Sequence, residues 1–265
     1  TPNCKYLGSF GKIGRGPGEF SKPLTNTFGV IGDYIYIVDN NIYKKISIDV
    51  TNTSIETNVL EEIILPGKAM AVNGIVQKDE SSFVGVTSNN YISNEFFLFD
   101  KEIKTFKGVG DYPELIESPY IKPFTNFHLY VKHVDRKPDG SKVVALYSNF
   151  KFMRLFDNEL NLIGSYQLEN PKKQTIEVKP EGTISTSTSY IYYLDLAVTD
   201  KYIYGLNIGR KYDEIPSNPE IDFDTYLHVW HWNGEPFAEI TLPNTDFKIA
   251  VDSEDKYLYT LNPYK

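Results

Sequence analysis

The chain alternates short runs of β-branched and aromatic residues with clusters of Gly, Asp, Asn and Ser. In residues 32–49, GDYIYIVDNNIYKKISID, Tyr34, Tyr36 and Val38 alternate with Ile35 and Ile37. Period-two patterning of residues that suit a pleated, half-buried surface predicts a strand. Asp39, Asn40 and Asn41 supply the tight turn, and residues 42–48 return as the second strand. The three-and-four spacing of a helix is absent from both runs.

This unit recurs. Residues 81–108 predict a hairpin followed by an outer strand at 103–107, and residues 140–168 predict strands at 143–147, 151–156 and 160–166. FFLFDKEIKTF in the first aligns with FMRLFDNELNLIGSY in the second, with Asp100 and Asp157 each opening a turn. A fourth unit runs through 191–198, 202–206, 227–232 and 236–241, its middle connection lengthened by a loop insertion at 207–226 that holds Pro216 and Pro219. A fifth begins with 247–251 and 257–261.

Self-similarity at this period is the mark of a repeat architecture. Five innermost strands are expected, at 24–30, 70–76, 124–131, 191–198 and 247–251. The expected fold is therefore an all-β propeller with five countable blades, forming a single domain over residues 1–265. Residues 5–10 read as an outer strand with nothing before it. Joining the C-terminal blade would close the ring and remove an exposed sheet edge. Room for a sixth blade lies around 108–120 or 171–190.

Composition narrows the partners more than the chemistry. At 265 residues the chain can bury one large core or two modest ones, and 41% apolar with 23% charged residues is ordinary for a globular protein. Aromatic content of 14% suits sheets that pack face to face. The net charge of −8 argues against broad attraction to nucleic acid, and the basic runs are only pairs, Lys44 with Lys45 and Lys172 with Lys173. No apolar run approaches the ~20 residues of a transmembrane helix. Cys4 is the sole cysteine, which leaves no intrachain disulfide and no cysteine metal cluster.

Residues 10–20, FGKIGRGPGEF, have the look of a phosphate-binding loop. A Walker loop needs Lys-Ser or Lys-Thr after its glycines, whereas Gly18 is followed by Glu19 and Phe20. A dinucleotide loop leads from a strand into a helix, and residues 24–38 predict strands. The glycines suit a tight crossing between blades instead. Together with YIYIVDNNIYKKISID, this segment resembles the NHL-type repeat and the TolB-like propellers of secreted and cell-envelope proteins of Bacteroidetes. The match is strong across residues 6–49 and looser over most of the chain. The resemblance implies six blades as the alternative to five, and a partner-binding or envelope-associated role outside the cytoplasm. Lys44 and Lys45 stand where the NHL phrase carries an Arg-containing segment.

Five residues are candidate ligand contacts. In a propeller, Glu19 and Asp39 lie on connections that project from the same face, where they either cap backbone N–H groups or meet a ligand or cation. Calcium asks for six to eight oxygens, and no compact series supplies them. Trp230 and Trp232 alternate in HVWHWNGEPF, and with Tyr226 they offer either a glycan or peptide platform or packing between blades. The histidines 128, 133, 228 and 231 form no HExxH motif, and there is no GxSxG elbow. The expectation is a non-catalytic binding or protein-interaction module without a cofactor. Protein, peptide or glycan is the partner, the oligomeric state is open, and no catalytic or metal residues are assigned. The alternative is a metal-dependent hydrolase or lactonase with its site at the central channel.

Overall fold

The computed structural model describes residues 9–16, 18–51, 55–66, 72–87, 93–168, 176–185, 189–215 and 223–262. The chain divides into two compact units, Thr1–Ile92 with Phe96–Gly108, and Ser93–Glu95 with Val109–Lys265.

In the first unit, β1 (Lys12–Ile13) and β2 (Glu19–Phe20) form a two-residue parallel ladder. Four strands follow as an antiparallel meander: β3 (Pro23–Ile31), β4 (Tyr34–Asp39), β5 (Ile42–Val50) and β6 (Ile55–Ile64). Next come β7 (Val72–Gln77), β8 (Ser82–Thr87), β9 (Phe96–Asp100) and β10 (Phe106–Val109), again in sequence order across one sheet. Tyr36, Val38, Tyr43, Ile75, Phe83, Phe97 and Phe99 make one buried cluster, with the Tyr43 and Phe83 rings 4.3 Å apart. Gly85 lies opposite Phe97 in the β8–β9 register, and a Cβ there would stand 2.1 Å from that ring. The glycine is what lets the phenylalanine lie flat across the sheet.

The second unit holds two further four-stranded meanders. One is β11 (Lys132–Arg136), β12 (Lys142–Tyr147), β13 (Phe152–Asp157) and β14 (Leu162–Gln167). The other is β15 (Tyr190–Val198), β16 (Tyr202–Lys211), β17 (Thr225–His231) and β18 (Pro236–Leu242). They are followed by a two-stranded sheet, β19 (Lys248–Val251) with β20 (Leu258–Leu261). The first strands of successive sheets lie side by side, β3 with β7 in one unit and β11 with β15 with β19 in the other. Meanders set first strand to first strand are the blades of an all-β propeller.

The blade count differs from the expectation. Neither five nor six is found, because the described residues form four four-stranded blades, and the last repeat stops at two strands. An innermost strand marks where a blade starts and says nothing of how many strands follow. Beyond the last residues of β10 and the first of β15, the segments held open for a sixth blade contain only an isolated bridge, Val178 with Ile184, among their described residues. The expected pairing of strand 5–10 with the C-terminal blade falls mainly on residues 1–8, outside the described residues.

Three local expectations are also corrected. Residues 124–131 are not an innermost strand, since α1 (Pro123–Leu129) occupies most of them and β11 follows it. Pro123 suits the first helical position, the Lys122 N–H donates to Thr125 Oγ1 at 3.0 Å, and Thr125 and Leu129 bury one face at i, i+4. The insertion at 207–226 is not all loop. β16 runs on to Lys211 because the long β15 pairs with it as far as Tyr190. The outer strand placed at 103–107 begins at Phe106, because Asp100 holds the preceding residues in a turn through the N–H groups of Glu102 and Ile103. Asp157 does the same for Glu159 and Asn161, so the aligned aspartates share one task.

Candidate functional site

The glycine loop in the first unit is closed by its own groups. The Gly16 N–H donates to Glu19 Oε2 at 2.7 Å, and the Gly14 N–H donates to the Phe20 carbonyl at 3.1 Å. Asp39 receives the N–H groups of Ser21 and Lys22, at 3.0 and 2.6 Å. Lys44 is buried, donates to the Glu19 carbonyl, and lies 3.4 Å from Asp39 and 3.3 Å from Glu62. Glu19 and Asp39 are thus brought together through one ammonium group, that of Lys44 on β5. Burial works to raise the Asp39 pKa, but the bonds from Lys22, Ser21 and Lys44 outweigh it and hold it below the usual value.

The other three sequence candidates lie on or beside β17 in the second unit. Trp230 and Trp232 are buried, 3% and 6% exposed, within a cluster that includes Val144, Leu146, Tyr193 and Ile203. The Trp232 indole N–H donates to the Thr199 carbonyl at 2.9 Å, and Trp230 meets Tyr193 edge to face. Tyr226 is half-buried, in register between Asn207 and Thr241. His228 bonds Tyr193 Oη at 3.1 Å and Glu239 at 3.1 Å, while His231 packs on Tyr202 and Phe237. Both tryptophans thus pack in the interior of the sheets.

A different set converges on the first strands of the second unit. β11 carries His133 and Asp135, β15 carries Asp195, and β19 carries Lys248. Asp195 Oδ1 receives Lys248 Nζ at 3.0 Å and Asp195 Oδ2 receives the Ile249 N–H at 2.9 Å, so both of its oxygens are engaged across β15 and β19. Asp135 Oδ1 receives the N–H of Arg136 at 2.7 Å. His133 bonds the Tyr193 backbone. Burial lifts the Asp135 pKa to about 7 with Asp195 adding to it, against the Arg136 bond. Burial lowers that of His133 despite the nearby Asp195. Near neutral pH the edge therefore holds one balanced ion pair, a neutral imidazole and a carboxyl at the middle of its titration. Sequence reasoning weighed His133 only against zinc motifs and passed over Asp135, Asp195 and Lys248. Asp195 inside the otherwise apolar β15 was the available signal.

Elsewhere in this unit, a groove of about 490 Å³ runs between β16–β18 and the two-stranded sheet, lined by Tyr204, Leu227, Phe237, Val251, Asp255 and Leu258 among others. Among the described residues, no group of three or more His, Cys, Asp or Glu side chains is arranged to hold a metal ion, and no helix is long and apolar enough to cross a membrane.

The sequence profile of the TolB-like 6-blade propeller-like family matches residues 1–254. The chain belongs to that family. The described TolB-like blades number four complete sheets, against the six of the family description. A member of the DUF4221 family from Bacteroides vulgatus has a similar solved structure, with 12% identity, TM-score 0.53, and coverage of 86% of this chain and 69% of that one. A Bacteroides fragilis protein described as exported aligns at 12% identity and TM-score 0.49, over 95% of this chain and 69% of its own. The Pan2 WD40 domain of Neurospora crassa aligns at 8% identity and TM-score 0.47, and this chain covers 85% of itself and 54% of that domain. No curated protein sequence matches the chain.

Proposed function

We propose that this TolB-like propeller is a non-catalytic binding module of the bacterial cell envelope, acting outside the cytoplasm on a protein, peptide or glycan. The observation that carries the reading is the edge formed by β11, β15 and β19. It presents polar groups from three strands, and Asp195 of β15 and Lys248 of β19 neutralise each other at 3.0 Å. Such an edge recognises hydrogen-bonding groups without an exposed nucleophile–base pair. Family membership and the resemblance to envelope propellers of Bacteroidetes support a place outside the cytoplasm.

The test is retention on immobilised glycan and peptide arrays, run with and without divalent metal. Metal-independent retention is expected. Metal-dependent turnover of any arrayed ester, lactone or glycoside would overturn the proposal.

A further inference from the structure

Each oxygen of Asp195 already accepts one bond, from Lys248 Nζ and from the Ile249 N–H. Asp135 is different. Its Oδ1 accepts from Arg136, and its Oδ2 has no hydrogen-bond partner among the described residues. His133 stands two residues earlier on the same strand, so its side chain leaves from the same face, with the two Cα atoms roughly 7 Å apart. The backbone of Tyr193 accounts for one bond to the imidazole, which has two ring nitrogens. Both residues are half-buried and keep some surface open to solvent.

The neighbours decide what this pair can accept. Asp195 and Lys248 cancel each other at 3.0 Å, so that pair offers no net charge with which to hold an ionic ligand. A carboxyl and an imidazole each donate and accept, and the hydroxyl is the small neutral group that answers both roles from one atom. We infer that Asp135 Oδ2 and the open nitrogen of His133 are the ligand-contacting atoms of this edge, and that the ligand is an uncharged, hydroxyl-rich glycan. This deepens the binding reading above and rests on it.

Proton dependence follows from the same groups. The charged or titratable residues around Asp135 are His133 and Arg136 on its own strand, Asp195 on β15 and Lys248 on β19. Its partner across the β12 register, Val144, carries none. His133 titrates below its ordinary range, so Asp135, near 7, is the group that changes state around neutrality. If the protonated carboxyl donates to the ligand, occupancy of that form falls about tenfold between pH 6 and pH 8.

The experiment uses the whole chain on arrays of neutral hexose and N-acetylhexosamine oligomers, beside a matched peptide array, at pH 6 and pH 8. Wild type is expected to hold neutral oligosaccharides about tenfold more tightly at pH 6. Asp135→Asn keeps an uncharged donor and acceptor and should bind equally at both pH values. Asp135→Ala should lose binding at both, with circular dichroism and the melting midpoint reporting that it folds. Retention of peptides alone, or glycan binding indifferent to Asp135→Ala and to pH, overturns this inference and leaves the binding reading standing. Retention of nothing on either array overturns both.

Discussion

Arg154 Nη1 stands 2.6 Å from Glu95 Oε2, against a carboxylate whose side chain has no exposed surface. Lys132 Nζ is 3.5 Å from the other oxygen, which also accepts from the Tyr147 hydroxyl. The Lys132 ammonium lies over the rings of Tyr112 and Tyr147, at 4.8 and 5.3 Å. Burial and the adjacent Glu95 push the Tyr147 hydroxyl pKa well above its ordinary value, so it remains a donor. Removing one partner from a buried ion cluster leaves the others uncompensated and typically costs about 3–5 kcal/mol. Glu95→Ala should lose that much in urea denaturation. The double variant Glu95→Leu with Lys132→Met should lose less than the sum of its singles, because Lys132 is then not left as an uncompensated buried charge.

Acid should weaken the first unit through Asp39. Its folded pKa lies below the unfolded value of 3.8, so its stabilisation is complete above that value and is lost as pH falls through the folded one. Asp79, held at about 2 by Ser82 and Ser81 against the effect of burial, acts in the same window. Unfolding midpoints measured between pH 5 and pH 2 should fall less steeply for Asp39→Asn than for wild type.

Asp135 has the opposite sign. Its folded pKa is raised to about 7, so the native state binds more protons than the unfolded chain between about pH 4 and pH 7. Stability from this group declines as pH rises through that interval. Asp135→Asn should flatten the decline in denaturation series at pH 5, 6, 7 and 8. A variant with the wild-type slope would show that Asp135 titrates normally.

The tryptophans on and beside β17 should report packing. Trp230→Ala empties a buried site and should cost about 3–5 kcal/mol. Trp232→Phe keeps a large ring but leaves the Thr199 carbonyl without its indole donor, a loss of about 1 kcal/mol. Thermal melts of both variants separate volume from hydrogen bonding.

At Gly14, a Cβ would stand 2.0 Å from Glu19 Oε2. Gly14→Ala should therefore displace the Glu19 carboxylate from the Gly16 N–H and cost about 1 kcal/mol. Glu19→Ala should cost a similar amount, and the double variant little more than either single, because both remove one bond. Ile13, 97% exposed beside them, should tolerate Ala with no measurable change.

The sequence by itself determined the strongly alternating strands and the Asp-led turns that join them. Period-two alternation and Asp-led turns act over a few residues, so Tyr34–Asp39 and Phe152–Asp157 are readable without any distant partner. It also pointed to a glycine turn that Glu19 caps. Only the tertiary structure decided how many strands each repeat gathers, because a sheet is completed by pairing between segments and β19 with β20 stops at two. It alone placed Lys44 between Glu19 and Asp39, and both tryptophans in a core. It likewise brought His133, Asp135, Asp195 and Lys248 to one edge. Those four residues span more than a hundred positions, and no local pattern can announce a meeting that depends on first strands lying side by side.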